Sequence, residues 1–231
     1  MTDRAPIAID YFSDLLCIWA YVAQARLDEV RRRFAERVLV RARFCPIFGD
    51  TARRIGEGWR ERGGYDGFNA HVREVAGRFD HVAVHPRLWL DVRPASSAGA
   101  HLYVKAMQVA EAGAAHDDGG APPASDRLAW AFRLAFFRDC RDIARLEIQD
   151  DVARGLGLPL AAIHDAIASG QAHAALADDL EARDALRIEG SPTLVLNDGR
   201  QKLYGNVGYR VIEANIQELL KEPDAGQASW C

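Results

Sequence analysis

Apolar and polar residues alternate in three different rhythms along this chain, and the rhythms change at identifiable places. Ala5 to Phe12 is a compact apolar run with Asp10 inside it, short enough for a buried strand, and polar Ser13 and Asp14 follow at once. From Trp19 to Phe34 the apolar Tyr21, Val22, Ala25, Leu27 and Val30 recur at helical spacing. Val38 to Phe44 then sets Val38, Val40, Ala42 and Phe44 against Leu39, Arg41 and Arg43, which predicts a second strand. The opening is β-α-β, with two parallel strands and a right-handed crossover.

The closing segment runs in another order. Thr193 to Leu196 predicts a strand, Asn197-Asp198-Gly199 a hairpin turn, Lys202 to Tyr204 a second strand and Tyr209 to Leu220 an amphipathic helix. Between the two ends, nearly everything from Thr51 to Leu186 reads helical. The signals are Phe68 to Phe79, Ala98 to Ala112, Arg127 to Arg138, Glu147 to Gly155 and Leu160 to Ala168. Gly113 to Ser125, rich in Gly, Pro, Ala and Asp, predicts a solvated loop. The expected organisation is an α/β domain from residues 1–50 and 187–222, a helical insertion domain at 51–186 and a flexible tail at 223–231.

Composition narrows the function. The chain has 231 residues, with 29 basic and 33 acidic side chains and no long block of one sign, which argues against nucleic acid as a partner. No basic, apolar and small-residue leader opens the sequence, and no apolar run is long enough for a membrane helix. A soluble cytoplasmic protein is expected, and a homodimer is allowed. Cysteines 17, 45, 140 and 231 show neither close pairing nor zinc-site spacing, so thiols are expected and no metal. His81 and His85, four apart before Pro86, could share a helix face but lack a third ligand. The Arg31 to Arg33 run reads as a solvated charge cluster at a helix C-terminus, and Trp59, Trp89 and Trp130 as core residues.

Cys17 is the strongest nucleophile candidate. It follows a strand and precedes a helix, where free backbone N–H groups and the helix dipole favour thiolate over thiol. An acidic, reactive thiol is therefore expected there. Cys45, at a strand end beside Pro46, reads as buried, and Cys140 as incidental. The chain ends Trp230-Cys231, a thiol beside an apolar anchor on a tail of small residues, so Cys231 is a candidate resolving partner for Cys17.

Ser13-Asp14-Leu15-Leu16-Cys17-Ile18-Trp19-Ala20-Tyr21 resembles the active-site turn of the DsbA-like thioredoxin family, and its cytosolic FrnE-like members in particular. Glu189-Gly190-Ser191-Pro192-Thr193 resembles the family's cis-proline loop, and Tyr204-Gly205 the step that follows. Arg93 to His101, which contains Ser97, resembles the segment that starts a long insertion helix near the active site. Phe136 to Ile143 and Leu156-Gly157-Leu158 add later landmarks. The resemblance spans about Ile7 to Leu220. It implies a thioredoxin-like core interrupted by a helical insertion, with Ser13, Asp14, Trp19, Ser97, Ser191, Pro192, Gly205 and Asn206 as substrate- or glutathione-binding residues and Pro192 as a cis-proline.

One departure matters most: Ala20 stands where the family has its second cysteine, and Ile18 replaces a proline. An exchange cycle within one turn needs a second thiolate, so only monothiol chemistry survives, with glutathione or another thiol resolving the product. The related kappa-class glutathione transferases and hydroxychromene carboxylate isomerases set up a second reading. There Cys17 holds or activates glutathione as cosubstrate, Pro192 pairs its backbone and the Gly205-Asn206-Val207 helix start takes a carboxylate. A third reading is a non-catalytic thioredoxin-fold protein that binds an extended peptide. None of the three implies a tightly bound cofactor.

Overall fold

The computed structural model describes residues 6–113 and 122–221. Four strands form one mixed sheet: β1 (Ile7–Ser13), β2 (Val38–Phe44), β3 (Thr193–Leu196) and β4 (Gln201–Tyr204), in the order β2-β1-β3-β4. β1 is parallel to β2 in the register Ile7 to Val38 through Ser13 to Phe44, and antiparallel to β3. β3 turns back into β4 through Asn197, Asp198 and Gly199, all at positive φ, the conformation that an Asn-Asp-Gly turn adopts most readily. The β-α-β opening and the β-β-α close meet in this sheet, with β1 extending one residue beyond the apolar run to take in Ser13.

Helix α1 (Ile18–Phe34) crosses between β1 and β2 and buries Tyr21, Val22, Leu27, Val30 and Phe34 on one face. Of its terminal arginines, Arg32 and Arg33 are exposed as the sequence suggests, and only Arg31 is drawn inward. Arg31 pairs with Asp126 at 2.6 Å, Arg32 with Glu29 at 2.6 Å and Arg33 with Glu213 at 2.6 Å. The chain from β2 to β3 holds α2 (Gly64–Ala76), α3 (Ala98–Ala112), α4 (Ala124–Arg133), α5 (Leu146–Gly155), α6 (Leu160–Ala168) and α7 (Gln171–Ala185), and α8 (Tyr209–Leu220) closes the described chain. The helix expected over Arg127 to Arg138 is α4 continued by a wider turn at Leu134–Arg138. His81 and His85 lie in the irregular stretch after α2 and share no helix face.

The helical segment and the first half of α1 share one core. Leu15 to Val22, Phe44 and Phe48 pack into the same buried cluster as Trp89, Tyr103, Phe132 and Phe136, and Trp59 and Trp130 pack against it. Helix α7 has almost no apolar face and buries only Ala172 and Asp179, which is why no helical rhythm announces it. Ala172, Leu176 and Ala182 supply some apolar packing, and polar contacts add to it. Asp179, 1% exposed, accepts from the Phe44 N–H at 2.9 Å and pairs with Arg43 at 3.1 Å and with buried Lys105 of α3 at 3.0 Å. Gln108 donates to the Ala42 carbonyl at 3.1 Å. The C-terminal end of the outer edge of β2 is thus capped by side chains of α3 and α7, at the Ala42 carbonyl and the Phe44 N–H.

Removing one partner from such a buried group leaves the others uncompensated. Asp179→Ala should cost about 1–3 kcal/mol in urea unfolding, because it leaves the Phe44 N–H and the Lys105 ammonium without their acceptor beside a cavity of about 300 Å³ that water can enter. A loss below about 1 kcal/mol would mean that the carboxylate does not anchor α7.

Candidate active site

The turn between β1 and α1 is built around a buried carboxylate. Asp14 has no solvent exposure. Its Oδ1 accepts from the Leu16 N–H at 2.8 Å, and its Oδ2 accepts from the Phe48 N–H at 2.8 Å and the Ser97 hydroxyl at 2.8 Å. The Asp14 N–H donates to Ser191 Oγ at 2.9 Å, which ties the turn to the Pro192 loop. The Leu15 N–H donates to His101 Nε2 at 3.1 Å, so the neutral ring carries its proton on Nδ1. Asp14 Oδ1 lies 3.6 Å from the same Nε2, so the two form an ion pair only when the ring is fully protonated.

Burial alone would raise the Asp14 pKa. His101 and the Phe48 and Leu16 N–H groups outweigh it and hold the carboxyl below the ordinary 3.8. The two backbone donors act in either state of the histidine.

This frame delivers Cys17 to the N-cap position of α1, where its carbonyl accepts from the N–H groups of Ala20 and Tyr21, both at 3.1 Å. The thiol is 6% exposed and donates to the Ser191 carbonyl at 3.2 Å. The Ser191–Pro192 peptide is cis. The Pro192 carbonyl accepts from the Gly205 N–H at 2.8 Å, so the step after β4 packs against the same loop.

The expectation of an acidic thiol at Cys17 is corrected by its burial. Desolvation pushes the Cys17 pKa up from its ordinary value; the Ser191 side chain and the Ala20 N–H, as donors to the sulfur, pull it back only in part, and the nearby Asp14 charge adds to the rise. The helix start supplies the donors that the sequence promised, but the thiol sits too deep for them to prevail. Burial also raises Cys45 and Cys140.

The other site residues divide by exposure. Ser13, Asp14 and Ser97 are at most 1% exposed, with their side-chain oxygens bonded inside the protein. They hold the turn rather than face a ligand, which corrects their place among the binding residues. Ser191 is 9% exposed, Trp19 and Gly205 are half-buried and Asn206 is exposed. Helix α8 begins at Tyr209, with Gly208 as its N-cap, so Gly205-Asn206-Val207 is a turn before the helix and not its start. Cys231 and the tail from residue 222 lie outside the described residues. No cluster of three His, Cys, Asp or Glu able to hold a metal occurs among the described residues.

Sequence reasoning gave no role to His101. Its signal is the spacing from Ser97, four residues earlier, which places both side chains on one face of α3 toward Asp14. Tyr204 was also missed. Tyr204 is 66% exposed and its ring lies over Gly190, where a Cβ would come within 2.4 Å of it, so a larger residue there would displace the ring.

Because the folded-state pKa of Asp14 lies below that of the unfolded chain, its contribution to stability is complete above about pH 4 and is lost as pH falls through the folded value. Asp14→Asn should be destabilised by about 1–3 kcal/mol at neutral pH, since a side-chain amide cannot accept on both sides. The gap to the unmodified protein should narrow on acidification. Thermal unfolding followed from pH 7 to pH 2 checks it; a constant gap contradicts a charged Asp14.

A family model described as the DSBA-like thioredoxin domain matches residues 8–217. Among solved structures, a probable DsbA oxidoreductase from Streptomyces coelicolor superposes with a TM-score of 0.70 at 20% identity, covering 94% of this chain and 92% of that one. The cytosolic disulfide reductase DsbM from Pseudomonas aeruginosa gives 0.65 at 20% identity, covering 92% and 100%; it is also known with GSH. A 2-hydroxychromene-2-carboxylate isomerase gives 0.60 at 16%, covering 92% and 96%. No curated protein sequence matches the chain. With the family model covering the sheet, the Cys17 turn and the Pro192 loop alike, the chain belongs to the DSBA-like thioredoxin domain family.

Proposed function

We propose that this protein is a monothiol disulfide-exchange enzyme acting through Cys17, with glutathione or another external thiol as the resolving partner. The observation that carries this reading is the pairing of Cys17 with Ser191 beside Pro192, while Ala20, one turn along α1, has no group that could resolve a mixed disulfide. Exchange starts when Cys17 loses its proton to solvent and the thiolate attacks one sulfur of a substrate disulfide. A Cys17–substrate disulfide forms, and the other substrate sulfur leaves as a thiolate and takes up a proton. A second thiol then attacks the mixed disulfide, so Cys17 is released and the substrate leaves joined to that thiol.

In this reading Trp19, Gly205 and Asn206 offer the accessible surface beside the turn, and Ser191 and Pro192, both buried, hold the sulfur from the loop side. Ser13, Asp14 and Ser97 position the turn from behind. Since burial raises the Cys17 pKa, the thiol is protonated at neutral pH, and exchange should accelerate as pH rises through the alkaline range.

One observation favours a second reading, a glutathione-dependent transferase or isomerase. The Cys17 thiol is held as a hydrogen-bond donor, the role a hydroxyl would fill beside a bound glutathione sulfur. The two readings separate on the Cys17→Ser variant, which keeps a donor and loses the nucleophile.

Incubation with oxidised glutathione should add one glutathione at Cys17, faster at pH 9 than at pH 7, and intact-mass analysis with peptide mapping reads it. Cys17→Ser should take no adduct there and should not bind reduced glutathione in calorimetry. Binding retained by Cys17→Ser would favour the transferase or isomerase. Neither an adduct nor binding would sink both enzyme readings and leave a binding protein.

A further inference from the structure

Among the described residues, one buried cation is without a direct ion pair. Arg133, at the end of α4, is 3% exposed and has no carboxylate within ion-pair distance; the Asp126 charge acts on it only from across a shared cavity. Its Nη2 donates to Ser13 Oγ at 3.0 Å, and its Nε has no partner. An unpaired buried guanidinium is among the costliest arrangements a protein interior can hold.

Arg133 borders a cavity of about 20 Å³ beneath α1, lined also by Tyr11, Ser13, Gln24, Arg31 and Asp126. The lining is biased toward donors. Tyr11 is 4% exposed and its hydroxyl is unpartnered. Burial pushes the phenol pKa up, so it stays a donor. Ser13 Oγ accepts from Arg133, which leaves its own proton free. The one carboxylate on the wall, Asp126, is taken by Arg31 at 2.6 Å.

We propose that this cavity is a binding site for a small monovalent anion of chloride size, held by the Arg133 Nε–H and the hydroxyls of Tyr11 and Ser13. The size argument is direct. About 10–15 Å³ of such volume accommodates a single water-sized body, so the cavity is too small for phosphate or sulfate. Water fits the space but leaves the wall, with Arg31 and Arg133 set against Asp126 alone, one positive charge in excess. A halide accepts from all three donors and neutralises the charge. The proposal is independent of the thiol chemistry, because it uses neither Cys17 nor the Pro192 loop.

The probe is chloride, exchanged against gluconate at constant ionic strength while the unfolding temperature is followed. The unmodified protein should gain stability along a saturable curve. Tyr11→Phe, which removes one donor and keeps the ring, should raise the half-saturating chloride concentration roughly fivefold, the equivalent of one hydrogen bond. Arg133→Met, which fills similar volume without charge, should abolish the chloride dependence even where it changes the baseline stability. Crystals grown in bromide should show an anomalous peak between Arg133 and Tyr11. An unfolding temperature indifferent to chloride, an equal response in Arg133→Met, or a cavity holding water in the bromide crystal would each overturn the proposal.

Discussion

A carboxylate with no access to water has to be satisfied from inside the protein, and at Asp14 the groups that satisfy it come from its own turn and from two distant parts of the chain. Leu16 belongs to its own turn, Phe48 to the segment leaving β2, and Ser97 to the start of α3. Its backbone N–H then reaches a fourth part, the Ser191 hydroxyl beside Pro192. Each contact substitutes for water that the carboxylate lost on folding, so none can be dropped without leaving a charge or a donor exposed to a low-dielectric interior. The position of Cys17, three residues further on, follows from these constraints. The thiol meets the Ser191 carbonyl because one residue holds both ends of that contact, Asp14 fixing the turn through its carboxylate and Ser191 through its backbone N–H.

A second buried carboxylate works in the same way on the same strand. Asp179 takes the Phe44 N–H at the end of β2, and Asp14 takes the Phe48 N–H four residues later, with the Cys45 N–H bonded to the Ser13 carbonyl between them at 3.1 Å. The chain leaving the sheet is pinned at each step before it enters the helical segment. Apolar packing gives that segment its bulk, through Trp89 and the phenylalanines around it. The polar pins set where it sits against the sheet. This division explains why α7, with little apolar to bury, is nonetheless a well-placed helix.

Much of this architecture was legible in the sequence. Alternation marked β2, helical spacing marked α1 and α3, and Asn-Asp-Gly marked the β3-β4 turn, because each of these patterns reports burial on a regular face. The Cys17 turn and the Pro192 loop were legible through resemblance as well as position. What stayed hidden was the long-range polar bonding. Nothing local in Asp14 says that it faces Phe48 and Ser97 rather than a ligand. Nothing in α7 says that Asp179 anchors it. The depth of Cys17 was hidden for the same reason: exposure depends on what the helical segment lays over the turn, and the helix-start rule for acidic thiols presumes a thiol near the surface.

The central claim is that the Asp14 frame keeps Cys17 buried and protonated against Ser191. Iodoacetamide alkylation of Cys17, followed by mass spectrometry across pH 6 to 11 in the unmodified protein and in Asp14→Asn, tests it most directly. The unmodified thiol should react slowly at neutral pH and approach its maximum only above the ordinary cysteine range. Loss of the Asp14 charge and of its hold on the turn should shift the curve to lower pH and raise the neutral rate. Superimposable curves, or a Cys17 already at its maximal rate at pH 7 in the unmodified protein, would contradict the account.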